Sequence, residues 1–332
     1  MKEAQFWKAK DGKIQCLLCQ RKCILGDGAF GFCKVRQNIK GKLYTLNYGY
    51  ISSLHLDPIE KKPLYHFYPG EKVFSYGTFG CNFRCAFCCN FEISQRKIEE
   101  SCLKLSPEEL VEEAIRVKAK GIAHTYNEPT IFLEYVLDVA KKSKEKGLFN
   151  VLVTNGYISS YAIKSLKGLI DAVVIDFKGN NTKFYEEFCG AELSKVKKGA
   201  LNYLKIGTHI EITNLIVPGK NDNILELKEH FKWVKNNFGK DTPYHLLRFY
   251  PSYEMEGDET SLSELENLRK IALEEGLNYV YLGNVFEHEG CNTYCPFCGN
   301  LLIERKGLDV LKLGLKEGNL CSKCGKKQNI AV

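Results

Sequence analysis

The stretch GCNFRCAFCCN, residues 80–90, holds four cysteines, three of them at a C-x3-C-x2-C spacing: Cys81, Cys85 and Cys88. Soft thiolates at this spacing select zinc or an iron–sulfur cluster. A structural zinc takes four protein ligands. Three cysteines on a [4Fe–4S] cluster leave one iron open to a ligand from outside the chain. A zinc knuckle is the plainer alternative. Cys89 can replace Cys88 or act as a fourth ligand, but adjacent cysteines rarely serve one cluster without strain, so Cys88 is favoured.

Two further cysteine groups flank this loop. Cys295, Cys298, Cys321 and Cys324 form two Cys-x-x-Cys-Gly knuckles separated by 22 residues, a zinc-ribbon pattern. Cys16, Cys19, Cys23 and Cys33 are less stereotyped and suit zinc or an auxiliary iron–sulfur cluster. The GDGAFG stretch inside that group follows no strand and opens no long helix, so it is not read as a dinucleotide site. Cys102 and Cys189 stand alone, as small buried hydrophobes often do.

Polar residues also end several apolar runs. Glu128 in TYNEP is suited to an ammonium group, or to capping the helix that begins at Pro129. Thr154 and Asn155 in VTNG suit a ribose or a carboxylate. Asp176 and Lys178 in DFKG face one way by period-two alternation and form either a cofactor-orienting pair or a structural ion pair. Arg248 can meet a carboxylate or phosphate. His124 and His209 are read as packing residues.

The chain of 332 residues, 44% hydrophobic, is long enough for one large α/β domain with appendages. Its net charge of +7 is uneven: the first forty residues hold nine basic and three acidic side chains. That face is either simply solvated or a patch for an acidic partner, RNA or an electron donor. The N-terminus lacks a signal-peptide h-region, and no run of about 18 apolar residues exists. A cytoplasmic protein is therefore expected, with fifteen cysteines kept reduced.

The elements that must position these residues alternate. Strand-like runs begin at residues 72, 122, 150, 171, 209, 243 and 278, separated by helix patterns. In SPEELVEEAIRVKAKG, Ser106 is the N-cap, Glu109 completes a capping box, and Gly121 is the expected stop. Repeated β–α units predict a parallel sheet. The fold class read from them is a partial (β/α)6 TIM-like barrel, with a doubly wound sheet as the alternative. Either places functional residues at the C-terminal ends of the strands. The expected organisation is a four-cysteine metal-binding module (1–40), an entry strand or hairpin (41–72), the barrel (73–285) and a zinc-ribbon-like module (286–332).

CNFRCAFC resembles the C-x3-C-x-Φ-C motif of radical S-adenosylmethionine (SAM) enzymes, with Phe87 as Φ. The resemblance implies a [4Fe–4S] cluster whose open iron binds the amino and carboxylate groups of SAM. It also implies reductive cleavage to methionine and a 5′-deoxyadenosyl radical that abstracts hydrogen from a substrate. Phe87 would then lie near the adenine. Asn127 and Glu128 would stand where many members carry a Gly-Gly-Glu motif that receives the SAM amino group, with Asn127 replacing a glycine. Asp176 and Lys178 match an Asp-x-Lys of the glycyl-radical activases, whereas Val153 stands where those enzymes commonly have Asp.

Longer stretches, from LHLDPIEKKPLYHFYPG to NTYCPFCG, resemble the AmmeMemoRadiSam system subgroup, related to pyruvate formate-lyase activating enzymes. Cys89 departs from the subgroup's usual Gln. The subgroup implies AMMECR-type and Memo-type proteins as partners, with a flavodoxin- or ferredoxin-type electron donor. No membrane partner is expected, nucleic acid is not favoured, and the substrate is left open between protein and small molecule. Rival readings are a glycyl-radical activase and, from another class, a zinc-ribbon nucleic-acid or protein adaptor.

Overall fold

The computed structural model describes residues 1–95 and 102–331. Its centre is an eight-stranded sheet: β1 (Ser53–Pro58), β2 (Lys72–Gly77), β3 (Gly121–His124), β4 (Phe149–Thr154), β5 (Ala172–Phe177), β6 (His209–Ile216), β7 (Tyr244–Arg248) and β8 (Val280–Gly283). β1 pairs antiparallel with β2, and every later pair is parallel. The seven parallel strands fall on the seven strand-like runs, one more than the six of a (β/α)6 barrel. The strands neighbour one another strictly in chain order. A doubly wound sheet needs a reversal of that order, so the alternative falls. Among the described residues β1 and β8 are not paired to each other, and the barrel stays open.

The central strands are apolar because both faces are covered. In β5, AVVIDF, only Asp176 escapes full burial. Helices α1 (Pro107–Arg116), α2 (Leu133–Glu145), α3 (Thr182–Cys189), α4 (Leu193–Tyr203), α5 (Ile224–Phe238) and α6 (Leu262–Glu274) supply the cover. Tyr135, Val136, Val139 and Ala140 of α2 are buried. Full burial of a side chain as large as Val or Tyr contributes roughly 1.5–3 kcal/mol. Between β4 and β5 there is only a 3-10 turn, Ile163–Leu166.

The capping box at Ser106 forms as expected: Glu109 N–H donates to Ser106 Oγ (3.2 Å) and Ser106 N–H to Glu109 Oε2 (2.7 Å). The expected stop is corrected. α1 ends at Arg116 and the chain turns at Lys118, φ +57°. Gly121 instead opens β3, where a Cβ would stand 2.1 Å from the Phe149 ring.

The N-terminal region carries two small antiparallel sheets, one of Trp7–Lys10, Lys13–Cys16 and Ile24–Leu25, the other of Lys2–Glu3, Lys42–Thr45 and Arg36–Ile39. Residues 42–45 and 53–58 therefore lie in different sheets and do not form a hairpin. Arg36, 1% exposed, pairs with the fully buried Glu134 of α2 and ties this region to the barrel.

The C-terminal region docks at the other end of the sheet. Ala331 N–H donates to His66 O (2.7 Å), Tyr68 N–H to Ala331 O (2.8 Å) and Arg305 Nη2 to Tyr65 O (2.8 Å). The Tyr65 and His66 amides in turn donate to Glu211, near the start of β6. His209 and His245 also bond Glu211, at 3.0 and 2.8 Å, in keeping with a packing role for His209. His124 is likewise buried and bonded to Tyr76 (2.6 Å). No helix among the described residues is long and apolar enough to cross a membrane.

Candidate metal and cofactor site

The three-cysteine loop leaves the C-terminal end of β2. Neighbouring strand ends hold it there with amides. Asn127, after β3, accepts from Thr78 N–H (2.9 Å) and donates to Gly80 O (2.8 Å) and Thr78 Oγ1 (3.2 Å). Asn155, after β4, donates to Asn82 Oδ1 (2.7 Å) and accepts from Tyr157 N–H (3.1 Å). Both side-chain amides expected at a cofactor are thus bonded to protein, and they anchor the cluster loop.

Cys85 is buried, Cys81 and Cys88 are half-buried, and Cys89 is exposed. Phe83 N–H donates to Cys81 Sγ (3.3 Å), and Cys88 Sγ lies 3.2 Å from Ser94 Oγ. Burial first, then Glu128 and the other cysteines, holds the Cys81 thiol well above its ordinary range. Cys85 is raised chiefly by a hydrogen bond with Cys189, then by burial. A bound metal would supply the positive charge that ionises them.

Among the described residues the loop cysteines do not form a set with sulfurs all within 4.8 Å. One tetrahedral ion with Zn–S near 2.3 Å needs sulfurs about 3.8 Å apart. A cubane that binds each thiolate through a different iron tolerates a wider triangle. Three soft thiolates on one short loop suit an iron–sulfur cluster that leaves one iron open.

Glu128 is 3% exposed and accepts from Thr130 N–H (2.9 Å), Thr154 Oγ1 (2.7 Å) and Asn155 N–H (2.8 Å). It caps the short 3-10 helix Pro129–Phe132, so the capping reading is realised. Burial raises its carboxyl above the usual range despite those donors. Lys178 pairs with Asp176, which also accepts from Thr213 Oγ1 (2.9 Å). Burial works to lower the Lys178 pKa, but Asp176, Cys85 and Cys88 outweigh it, and the net shift is well upward. The Asp176–Lys178 ion pair is thus realised and lies against the loop cysteines. Phe87 is buried against Phe184, ring centroids 5.6 Å apart. Arg248 is not drawn into this group: Glu259 (2.5 Å), Thr260 O (2.7 Å) and Tyr250 (3.2 Å) occupy its guanidinium.

Sequence reasoning missed Arg84, Arg21, Asn82 and Cys189. Arg84 Nη1 donates to Cys81 O (2.9 Å), and its Nη2 bonds Phe32 O. Arg21 donates to Asn82 O from Nε (3.0 Å) and Nη2 (2.9 Å). Asn82 Nδ2 is buried without a partner. No local pattern signals these contacts. Cys189 is buried as expected of a lone cysteine, yet it touches Cys85 across more than 100 residues of chain.

The C-terminal cysteines are gathered. All four sulfurs lie within 4.8 Å of one another, with Cys295–Cys324 at 3.6 Å and Cys298–Cys321 at 3.7 Å. The two knuckles match: Gly299 and Gly325 take φ +69° and +70°, and each donates its N–H to the carbonyl of its knuckle's first cysteine at 2.9 Å. Only glycine adopts that backbone cheaply. This set can hold one metal ion. Cys291 lies outside it, its thiol on Leu282 O (3.3 Å).

An open parallel barrel with a three-thiolate loop on its first parallel strand is the architecture of a radical enzyme of the SAM-cleaving class. The model of the radical SAM superfamily matches residues 75–234. An uncharacterised protein of Methanocaldococcus jannaschii is 46% identical over 336 residues, covering 100% of both chains. The pyruvate formate-lyase-activating enzyme of Clostridium pasteurianum is 28% identical over 205 residues, 58% of this chain and 82% of that enzyme. In fold, Streptococcus suis SuiB bound to S-adenosylmethionine matches with a TM-score of 0.53 at 16% identity, covering 70% of this chain and 56% of that one. The chain belongs to the radical SAM superfamily and is related to the activating enzymes of glycyl-radical systems. Membership implies a [4Fe–4S] cluster and SAM.

Proposed function

We propose that Cys81, Cys85 and Cys88 hold the [4Fe–4S] cluster, that SAM completes it, and that the enzyme abstracts hydrogen from a substrate still to be identified. When bound, the cluster supplies the electron that splits SAM into methionine and a 5′-deoxyadenosyl radical. Asn127 and Asn155 keep the loop in place. Glu128 receives the SAM ammonium, whose positive charge offsets the burial that raises this carboxyl. Thr154 orients Glu128 by its hydroxyl. Phe87 lines the adenine side. The Asp176–Lys178 pair presents a cation to the cluster thiolates and steadies their charge. Cys295, Cys298, Cys321 and Cys324 form a closed zinc site with no open position for chemistry.

The observation that carries this reading is the three-thiolate loop at a strand's C-terminal end, with a buried carboxylate at the end of β3 and a half-buried ammonium at the end of β5. Anaerobic protein with dithionite and SAM should yield 5′-deoxyadenosine, and Cys88→Ala should abolish it. Retention of the cluster in Cys88→Ala with loss in Cys89→Ala would overturn the ligand assignment.

The finer placement is the AmmeMemoRadiSam subgroup, with AMMECR-type and Memo-type partners and a flavodoxin- or ferredoxin-type donor. The order of motifs along nearly the whole chain supports it. A second reading, activation of a glycyl-radical enzyme, draws on the likeness to the Clostridium pasteurianum activating enzyme. Deuterium transfer into 5′-deoxyadenosine from a labelled glycine loop would favour that second reading.

A further inference from the structure

We infer that Cys16, Cys19, Cys23 and Cys33 hold an iron–sulfur cluster ligated wholly by this chain, which passes single electrons to the loop at Cys81. The acceptor in this inference rests on the proposed cluster at Cys81, Cys85 and Cys88.

The local backbone is built for thiolates. The hairpin of Lys13–Cys16 and Ile24–Leu25 brings Cys16 N–H onto Cys23 O at 2.9 Å. Lys22 and Lys34, at φ +50° and +63°, turn the chain beside Cys23 and Cys33. At the neighbouring loop Phe83 N–H, two residues after Cys81, donates to that sulfur at 3.3 Å. Amides in this arrangement cradle negative sulfur.

Spacing separates a cluster from a single ion. Among the described residues, no three of these four sulfurs lie within 4.8 Å of one another, whereas the C-terminal four do. A shared ion draws sulfurs together, while a cubane stands between them.

Arg36 is the independent observation. It is 1% exposed, and while Nη2 pairs with Glu134, its Nε and Nη1 are buried without a partner. Cys33 Sγ and Arg36 Cβ both lie close to where a Gly31 Cβ would stand, at 3.7 and 3.8 Å. Cys16 and Cys33 lie within electrostatic reach of the guanidinium. Buried donors need acceptors. The sulfides of a cluster would supply acceptors to Nε and Nη1 that a single zinc does not.

The route to the active site is short. Arg84 spans Phe32 O, beside Cys33, and Cys81 O. At Gly80, φ +85°, an added Cβ would stand 2.6 Å from Cys33 O, so the two backbones nearly touch. On the outer side Lys8, Lys10, Lys13, Lys22, Lys34 and Lys40 are exposed, a face for an acidic one-electron donor protein. The donor loses one electron, the N-terminal cluster gains it, and the cluster at Cys81 then takes it. No bond is made or broken.

Anaerobic full-length protein should carry about eight irons per chain, two cubanes, and give two reduced-state EPR signals, of which SAM perturbs one. Cys33→Ser should remove about four irons and the signal that SAM leaves untouched. With dithionite, which reaches the open site directly, this variant should still form 5′-deoxyadenosine. With reduced flavodoxin its rate should fall about ten-fold or more, as expected when a steered route is lost. About four irons and two zincs in the parent would overturn the cluster. Equal retention of rate with both reductants would overturn the relay. If Cys33→Ser does not fold, Cys23→Ser should shift the SAM-insensitive signal, and an unchanged spectrum would count against the site. Absence of any SAM-sensitive signal in the parent would sink the Cys81, Cys85 and Cys88 assignment instead, leaving the N-terminal iron content to be judged on its own.

Discussion

Two four-cysteine groups sit at opposite ends of one sheet. The N-terminal group lies against the strand ends that carry the three-cysteine loop and is joined to that loop by Arg84 and Arg21. The C-terminal group lies beyond the strand starts, where residues 65–68, Arg305 and Ala331 interlock. Among the described residues no three sulfurs of one set lie within 4.8 Å of one another, and a buried guanidinium lies near it, whereas the other set is gathered within 4.8 Å. The number of cysteines is the same, so number does not decide the role. Neighbours and spacing differ: one group adjoins the three-cysteine loop, on which the inferred relay rests, and the other lies with the tail beneath the barrel.

The comparison breaks most sharply at its anchors. Arg36→Met leaves Glu134 buried without its partner, and such breaks cost about 3–5 kcal/mol. Chemical denaturation should register that loss, and an unchanged midpoint would show that Arg36 does not tie the N-terminal region to α2. At the other end, Cys295→Ser should release zinc and lower the melting temperature while 5′-deoxyadenosine formed per folded chain holds. A collapse of SAM cleavage at intact stability would refute the division of labour between the two ends.

Smaller effects sharpen it. Glu128→Gln should weaken SAM binding by roughly 10²-fold, the value of a charged partner, with the visible spectrum of the cluster intact. Unchanged affinity would leave Glu128 as a helix cap alone. Gly80→Ala strains a left-handed residue, worth about 1–3 kcal/mol, and pushes on Cys33 O. It should reduce iron loading at both sites near the active end and leave zinc content alone; loss of zinc with full iron would contradict that.

Acid should act on three buried histidines, His66, His124 and His230, each lowered by burial to about 3. His66 is buried between Asn329 O (2.7 Å) and Tyr281 Oη (2.6 Å), and burial lowers its pKa to about 3. Its unfolded value is near 6.5. Between those values the unfolded chain binds the extra proton, so stability falls as pH drops below about 6.5, by up to about 1.4 kcal/mol per unit. Melting curves from pH 7.5 to 5 should slope downward, and His66→Gln should make them shallower, with His124 and His230 supplying the rest. An identical slope in the variant would remove His66 as a cause.

Much of the chemistry was legible in local patterns. C-x3-C-x2-C, paired Cys-x-x-Cys-Gly and the Ser106 capping box each depend on residues a few positions apart, and backbone geometry alone makes such spacings meaningful. The β–α alternation was legible for the same reason, and so was the parallel sheet. The ending of α1 before Gly121 and the separation of residues 42–45 from 53–58 were not, because each is settled by a distant packing partner.

The sequence by itself determined which side chains are soft ligands, how they are grouped and that alternating elements carry them to strand ends. Tertiary structure decided the company they keep. It turned Asn127 and Asn155 into anchors of the cluster loop, set Cys189 against Cys85, occupied Arg248 with Glu259 and buried Arg36 near Cys33 with two nitrogens unpartnered. The physical reason is range. Thiolate spacing and helix capping act over a few residues, whereas burial, ion pairing and unpaired donors depend on groups that only the folded chain brings together.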